Sequence, residues 1–199
     1  LLDLTSELNK QGGSLLVRYG DTEQELQNVF LQYSVNAFYC NADYTPFARA
    51  RDAAIEMLCQ KTNVAYEQHH DALLCPPGSV LKKDQQPYKI FTPFFESAKH
   101  VVIPLPQKNA YHNYKDLPAQ QQASQTLIEH FLPQETSVIK GGRASAKLRL
   151  RNATQLDQYE IDRNSIAKDA TTHLSADHKF GTISVRETYH AIAYAGSQN

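Results

Sequence analysis

Residues Val35–His70, "VNAFYCNADYTPFARARDAAIEMLCQKTNVAYEQHH", decide the fold. "VNAFYC" is a short apolar run rich in strand-forming residues. "TPFARARDAAIEMLCQK" has Thr45 as an N-cap and Pro46 in the first turn of a helix, and "NVAYEQHH" is a second strand-like run. A strand, a helix and a strand in this order call for a crossover and therefore a parallel pair. Working outward, "SLLVRYG" (14–20) reads as an earlier strand. "DTEQELQNVFLQY" (21–33) is a helix capped by Asp21, with Leu26, Val29, Phe30 and Tyr33 at helical spacing. Alternation of this kind predicts an α/β, doubly wound, mainly parallel sheet of Rossmann-like type.

The flanks behave differently. "LLDLTSELNKQGG" (1–13) sets Leu1, Leu4 and Leu8 on one helix face and stops at Gly12-Gly13, and it lacks an initiator Met, so a strand or more is expected to precede it. "KIFTPFFESAKH" (89–100) suggests Thr92 capping a helix that starts at Pro93, with Glu96 and His100 as a surface pair. Between Val101 and Gly142 the composition turns to Pro, Gln and Asn, which reads as a long connection. Beyond it, 143–199 reads as helical, with Ser184 and Glu187 forming a capping box, and as a truncated helical region.

Composition narrows the classes. The chain has 199 residues, 41% of them hydrophobic, and balances 20 Lys and Arg against 21 Asp and Glu, so no global field selects nucleic acid or membrane. Cys40, Cys59 and Cys75 match neither a zinc site nor a redox pair and read as reduced cytosolic thiols. No run reaches the roughly 20 apolar residues of a membrane span. Adjacent strand residues point to opposite faces, so His69 and His70 do not suit one metal ion. Arg49 and Arg51 sit where open α/β folds meet ligands, and equally within reach of Asp52 or Glu56. No Gly-x-Gly-x-x-Gly or P-loop occurs.

"DATTHLSADHKFGTISVRE" (169–187) gathers Thr171, Thr172, His173 and Ser175 before a helix. Hydroxyls beside free helix N–H groups serve either as a cap or as an anion site, and spacing alone leaves both open.

Four segments, "NADYTPFARARD", "PPGSVLKKDQQPYKIFTPFFESA", "LDQYEIDRN" and "TTHLSADHKFGTISVRE", in this order and separation, resemble the DNA photolyase/cryptochrome family. The resemblance implies an N-terminal antenna domain over 1–100, a connection over 101–142 and the start of a helical FAD-binding domain over 143–199. It implies that Tyr159 contacts FAD, that Thr171, Thr172, His173, Leu174 and Ser175 lie over the FAD phosphates, and that Arg163 contacts DNA. His173 stands where many members carry Arg, Thr172 where Ser is common and Asn164 where Asp is frequent. Ala48 stands where folate-binding members tend to have a carboxylate, which argues against a folate contact there, and a second chromophore near Tyr44 to Arg51, of flavin, deazaflavin or folate type, or none, is left open. The implied activity is light-driven splitting of pyrimidine dimers, flipped out of damaged DNA, by an electron from reduced FAD. The implied protein is cytoplasmic and monomeric, and the fragment alone is expected to be inactive. The alternative within the family is a cryptochrome-like FAD photoreceptor that signals without repair. The chain contains no Trp, and the family's electron-relay tryptophans are expected beyond Asn199.

Overall fold

The computed structural model describes residues 1–132 and 139–196. In chain order its elements are α1 (Leu2–Lys10), α2 (Thr22–Gln32), β1 (Ala37–Asn41), α3 (Pro46–Thr62), β2 (Ala65–His69), α4 (Phe91–Ala98), α5 (Pro118–His130), α6 (Arg143–Ala153), α7 (Tyr159–Asp162), α8 (Ser175–Phe180) and α9 (Val185–Gly196). They divide into two compact units. The first takes Leu1–His69 with Lys108–Arg149, and the second takes His70–Gln107 with the chain from Leu150 on.

The first unit is built on the strand–helix–strand segment. Thr45 Oγ1 accepts the Ala48 N–H at 3.2 Å, and Pro46 occupies the first helical position, where a missing N–H costs nothing. At the other end Asn63 turns left-handed (φ 56°) and the Val64 N–H reaches back to the Cys59 carbonyl at 2.9 Å. The chain thereby reverses directly into β2, which pairs with β1 in parallel, from Ala37 opposite Ala65 to Asn41 opposite His69. Period-two alternation then sorts the side chains. Phe38 and Tyr66 stack at 6.1 Å and pack on the core of Ile55, Cys59 and Val64, which Leu26 and Phe30 of α2 complete. Tyr39, Asn41, Glu67 and His69 point the other way and are exposed, with the Tyr39 and His69 rings stacked at 6.2 Å.

Among the described residues the sheet has these two strands, and "SLLVRYG" is not one of them. Its backbone finds other partners. The Ser14 N–H goes to the Lys115 carbonyl and the Val17 N–H to Ser124 Oγ, while Ser14 Oγ accepts the Leu117 N–H and donates to Asp116. A strand needs a neighbouring ladder, and here the hydroxyl of Ser124 and the turn before α5 take its place. The Gln-rich connection is also partly helical: α5 buries Ser124 and Ile128 on one face and exposes Gln122 and Gln125, while Gln120 and Gln121 are half-buried. At the start of α6 the Asp3 carboxylate accepts the Arg143 N–H at 2.6 Å, a cap supplied by α1.

In the second unit α4 begins at Phe91 from an extended Ile90, so Thr92 lies inside the helix and caps nothing. The expected Glu96–His100 pair does not form, because Lys99 takes the Glu96 carboxylate. The capping box of α9 does form. The Glu187 N–H reaches Ser184 Oγ and the Ser184 N–H reaches Glu187 Oε2, both at 3.1 Å.

Burial, reinforced by the hydrogen bond shared with the Cys40 sulfur at 3.6 Å, pushes the Tyr66 phenol well above its ordinary 10.0, and burial pushes the Cys59 thiol above 9.0. Both groups are held neutral by the fold. Stability is therefore constant below the unfolded values, and falls as the pH climbs from them toward the raised folded ones. Urea midpoints are expected to be lower at pH 10.5 than at pH 8, roughly the interval over which an unfolded tyrosine ionises. Tyr66→Phe should show a smaller difference between the two pH values than the wild type. An equal difference would remove Tyr66 as the cause.

Candidate functional site

The site begins where α6 ends. The Tyr159 N–H bonds to the Leu156 carbonyl at 3.1 Å and opens α7, a single turn closed by the Arg163 N–H on the Tyr159 carbonyl at 3.0 Å. The four-residue spacing puts both side chains on one face, with the Arg163 guanidinium 5.7 Å from the centre of the Tyr159 ring. Both side chains remain exposed. Lys168 then folds back onto the Asp162 carboxylate at 2.5 Å and closes the loop that follows.

The hydroxyl-rich segment is anchored at one residue. Leu174 is 1% exposed and its carbonyl accepts the His178 N–H at 2.9 Å, so the start of α8 hangs on a buried apolar side chain. Leu174 is also the N-cap residue, and α8 has no side-chain cap. Spacing alone allowed the flanking hydroxyls to be caps, and they are not. Thr172 Oγ1 accepts only a long 3.5 Å contact from the Leu174 N–H. Thr171 and Ser175 are exposed, and among the described residues their hydroxyls make no protein hydrogen bond. His173 lies between them in the left-handed region (φ 51°), and its Nε2 meets Asp169 Oδ1 at 2.5 Å.

Behind this surface the segment is fastened by contacts that local sequence does not announce. Asp177 is buried and accepts Thr182 Oγ1 at 2.6 Å, so this carboxylate turns inward rather than toward the hydroxyls. His178 Nε2 bonds Thr188 Oγ1 at 2.9 Å and ties α8 to α9. Arg186 of α9 forms an ion pair with Asp71 and donates to the His70 carbonyl at 3.1 Å. Of the residues singled out by resemblance, the structure brings Tyr159 to Arg163 and sets Thr171 to Ser175 in one short segment. Among the described residues no hydrogen bond, ion pair or ring contact joins the two groups. Asp169, adjoining them, is the partner that the pattern reading missed; its only signal was the four-residue spacing to His173.

The donor set suits an anion. It offers two free hydroxyls, a third with one weak bond, and an imidazole that becomes a cation on protonation. A phosphate group matches that chemistry.

The Tyr44–Arg51 stretch lies in the first unit and is mostly exposed. Ala48 is buried under the α3 cap, and Arg51 is turned onto Asp52 by two bonds of 2.9 and 2.6 Å. His69 faces Glu67 at 3.4 Å, and among the described residues no group of three His, Cys, Asp or Glu side chains is placed to hold a metal.

Parallel strands joined by a crossover helix, followed by helices that present a hydroxyl-lined loop, define an α/β protein of the doubly wound kind with a helical extension. A family model for DNA photolyase matches residues 1–112. The chain belongs to the DNA photolyase family. It is 30% identical over 196 residues to an uncharacterized 31.6 kDa protein of Synechococcus, covering 94% of this chain and 68% of that one. Against the deoxyribodipyrimidine photo-lyase of Halobacterium salinarum the identity is 28% over 214 residues, covering 99% of this chain and 43% of the relative. The solved structure of an archaeal photolyase from Sulfolobus tokodaii, which holds two FAD molecules, superposes with a TM-score of 0.77 at 28% identity, over 96% of this chain and 41% of that one. The chain thus spans about two-fifths of the length of these photolyases.

Proposed function

We propose that the whole protein to which this chain belongs is a deoxyribodipyrimidine photo-lyase. It binds FAD and repairs pyrimidine dimers in damaged DNA under light, as a cytoplasmic monomer. On this reading 1–100 is the antenna domain, 101–142 the connection and 143–199 the start of the FAD-binding domain. FAD supplies the light-driven electron transfer. The chain's own residues place it: Thr171, Thr172, His173 and Ser175 hold the phosphates, Leu174 fixes their loop, and Tyr159 lies against the flavin nucleotide. Arg163, exposed beside Tyr159, meets the DNA backbone, so that α7 serves cofactor and nucleic acid from one face. A second chromophore, of flavin, deazaflavin or folate type, is assigned to the Tyr44–Arg51 stretch, in keeping with the two FAD molecules of the Sulfolobus relative.

One observation carries the reading. Hydroxyls flank the start of α8, yet the helix has no side-chain cap, which leaves them available to a ligand. The test is anaerobic repair of a dimer-containing oligonucleotide by the full-length protein under blue light. Bound flavin with light-dependent loss of dimers is the expected result. Bound flavin without repair would favour a signalling photoreceptor, and absence of flavin bands would remove the flavoprotein reading.

A further inference from the structure

Arg163 stands beside a carboxylate that does not pair with it. In α3 the neighbours Arg51 and Asp52 bond at 2.9 and 2.6 Å, so adjacency on a helix permits such a pair. In α7 the neighbours are Asp162 and Arg163, and the carboxylate goes elsewhere: Lys168 donates to Asp162 Oδ1 at 2.5 Å. The Lys168 side chain is 59% exposed and that of Asp162 23%, so the acid is the more enclosed of the two. The Arg163 guanidinium lies over the Tyr159 ring and, among the described residues, makes no ion pair or hydrogen bond. Asn164 brings no charge to the turn, and its amide donates to the Glu160 carbonyl at 3.2 Å.

The local charge makes this arrangement matter for an anion. From Asp157 to Asp169 the chain carries four carboxylates, Asp157, Glu160, Asp162 and Asp169, against the two cations Arg163 and Lys168. Asp162 is the one next to Arg163. Left bare, it would capture the guanidinium as Asp52 captures Arg51. We infer that Lys168 is a positioning residue for DNA: by holding Asp162 it keeps Arg163 available to a backbone phosphate, while its own ammonium stays on the carboxylate. This rests on the DNA contact given to Arg163 above.

The size of the effect follows from what a phosphate must displace. With Lys168 gone, DNA has to break an exposed Asp162–Arg163 pair before it gains the guanidinium, which lowers affinity about two- to fivefold at low salt. Salt screens the pair, so the loss shrinks as ionic strength rises. The effect passes through Arg163 and therefore disappears where Arg163 is absent. A lysine that touched DNA itself would keep its contribution there.

The experiment is equilibrium binding of a dimer-containing duplex by the full-length protein in the dark, at low and at raised salt. Lys168→Met should bind about two- to fivefold more weakly than the wild type at low salt, and Lys168→Met with Asp162→Asn should return to the wild-type affinity. Arg163→Met should bind weakly, and adding Lys168→Met to it should change nothing further. Three results would overturn the inference while leaving the DNA contact of Arg163 intact. They are a Lys168→Met, Asp162→Asn double variant as weak as Lys168→Met, an undiminished Lys168→Met effect in the Arg163→Met background, and wild-type affinity in Lys168→Met. Wild-type affinity in Arg163→Met would overturn both.

Discussion

Leu174→Ala is expected to cost about 2–5 kcal/mol of stability, the usual range for emptying a fully buried leucine site, and to strip the full-length protein of its flavin. The residue is 1% exposed and sits at the junction of the hydroxyl segment with α8. Its two backbone groups are both engaged, the N–H with Thr172 Oγ1 and the carbonyl with the His178 N–H. A cavity there therefore loosens Thr172, His173 and Ser175 together. The contrasting pair is Thr171→Ala and Ser175→Ala. Their exposed hydroxyls make no protein bond among the described residues, so stability should move by less than about 0.5 kcal/mol while flavin content falls. Urea midpoints and the flavin-to-protein absorbance ratio of purified variants separate the two effects. If Thr171→Ala and Ser175→Ala keep full flavin occupancy, the hydroxyls are not phosphate ligands, whatever Leu174→Ala does.

That contrast also marks what local sequence discloses. Several features caused by neighbours within four residues were legible, the Asp21 and Thr45 caps and the Ser184–Glu187 box, and the alternation of strand and helix patterns further gave the parallel pair. Features caused by distant partners were not. "SLLVRYG" has the composition of a strand, yet its bonding goes to Lys115 and Ser124. Local spacing also misled at Thr92-Pro93, which has the form of a helix start, yet the aromatic run already turns at Phe91, whose ring stacks on Phe95 at 5.8 Å. The glutamine-rich connection hid α5, whose apolar contacts are few but well buried. At the candidate site the residue types left cap and anion site open, and the resemblance supplied the phosphate reading together with Tyr159 and Arg163. The fastening of that loop was invisible, because Arg186 and its acceptor His70 lie 116 positions apart.

In the first unit, Asp52→Ala is expected to destabilise by about 2–3 kcal/mol, the upper part of the range for orphaning buried hydrogen-bond partners. Asp52 is buried in the middle of α3. Its Oδ1 accepts both Arg51 bonds and its Oδ2 accepts Gln68 Nε2 at 2.8 Å, which fastens the helix to β2. The two partners differ in what they lose. The Arg51 side chain is 35% exposed and can turn to water, so Arg51→Ala should cost no more than about 1 kcal/mol, as for exposed ion pairs. Gln68 is half-buried, and its amide bonds to Asp52 Oδ2 as its partner among the described residues. Replacing both ends of the buried link, in Asp52→Leu with Gln68→Leu, should recover most of the loss, because no polar group is then left unpaired. Denaturant midpoints of the three variants test the ordering. Were Arg51→Ala to cost as much as Asp52→Ala, the ion pair and not the tie to β2 would hold α3 in place. A chromophore along Tyr44–Arg51 would then have to compete with that pair for the guanidinium. With the expected ordering, Arg51 is a cation that an anionic ligand can draw away at little cost to the fold.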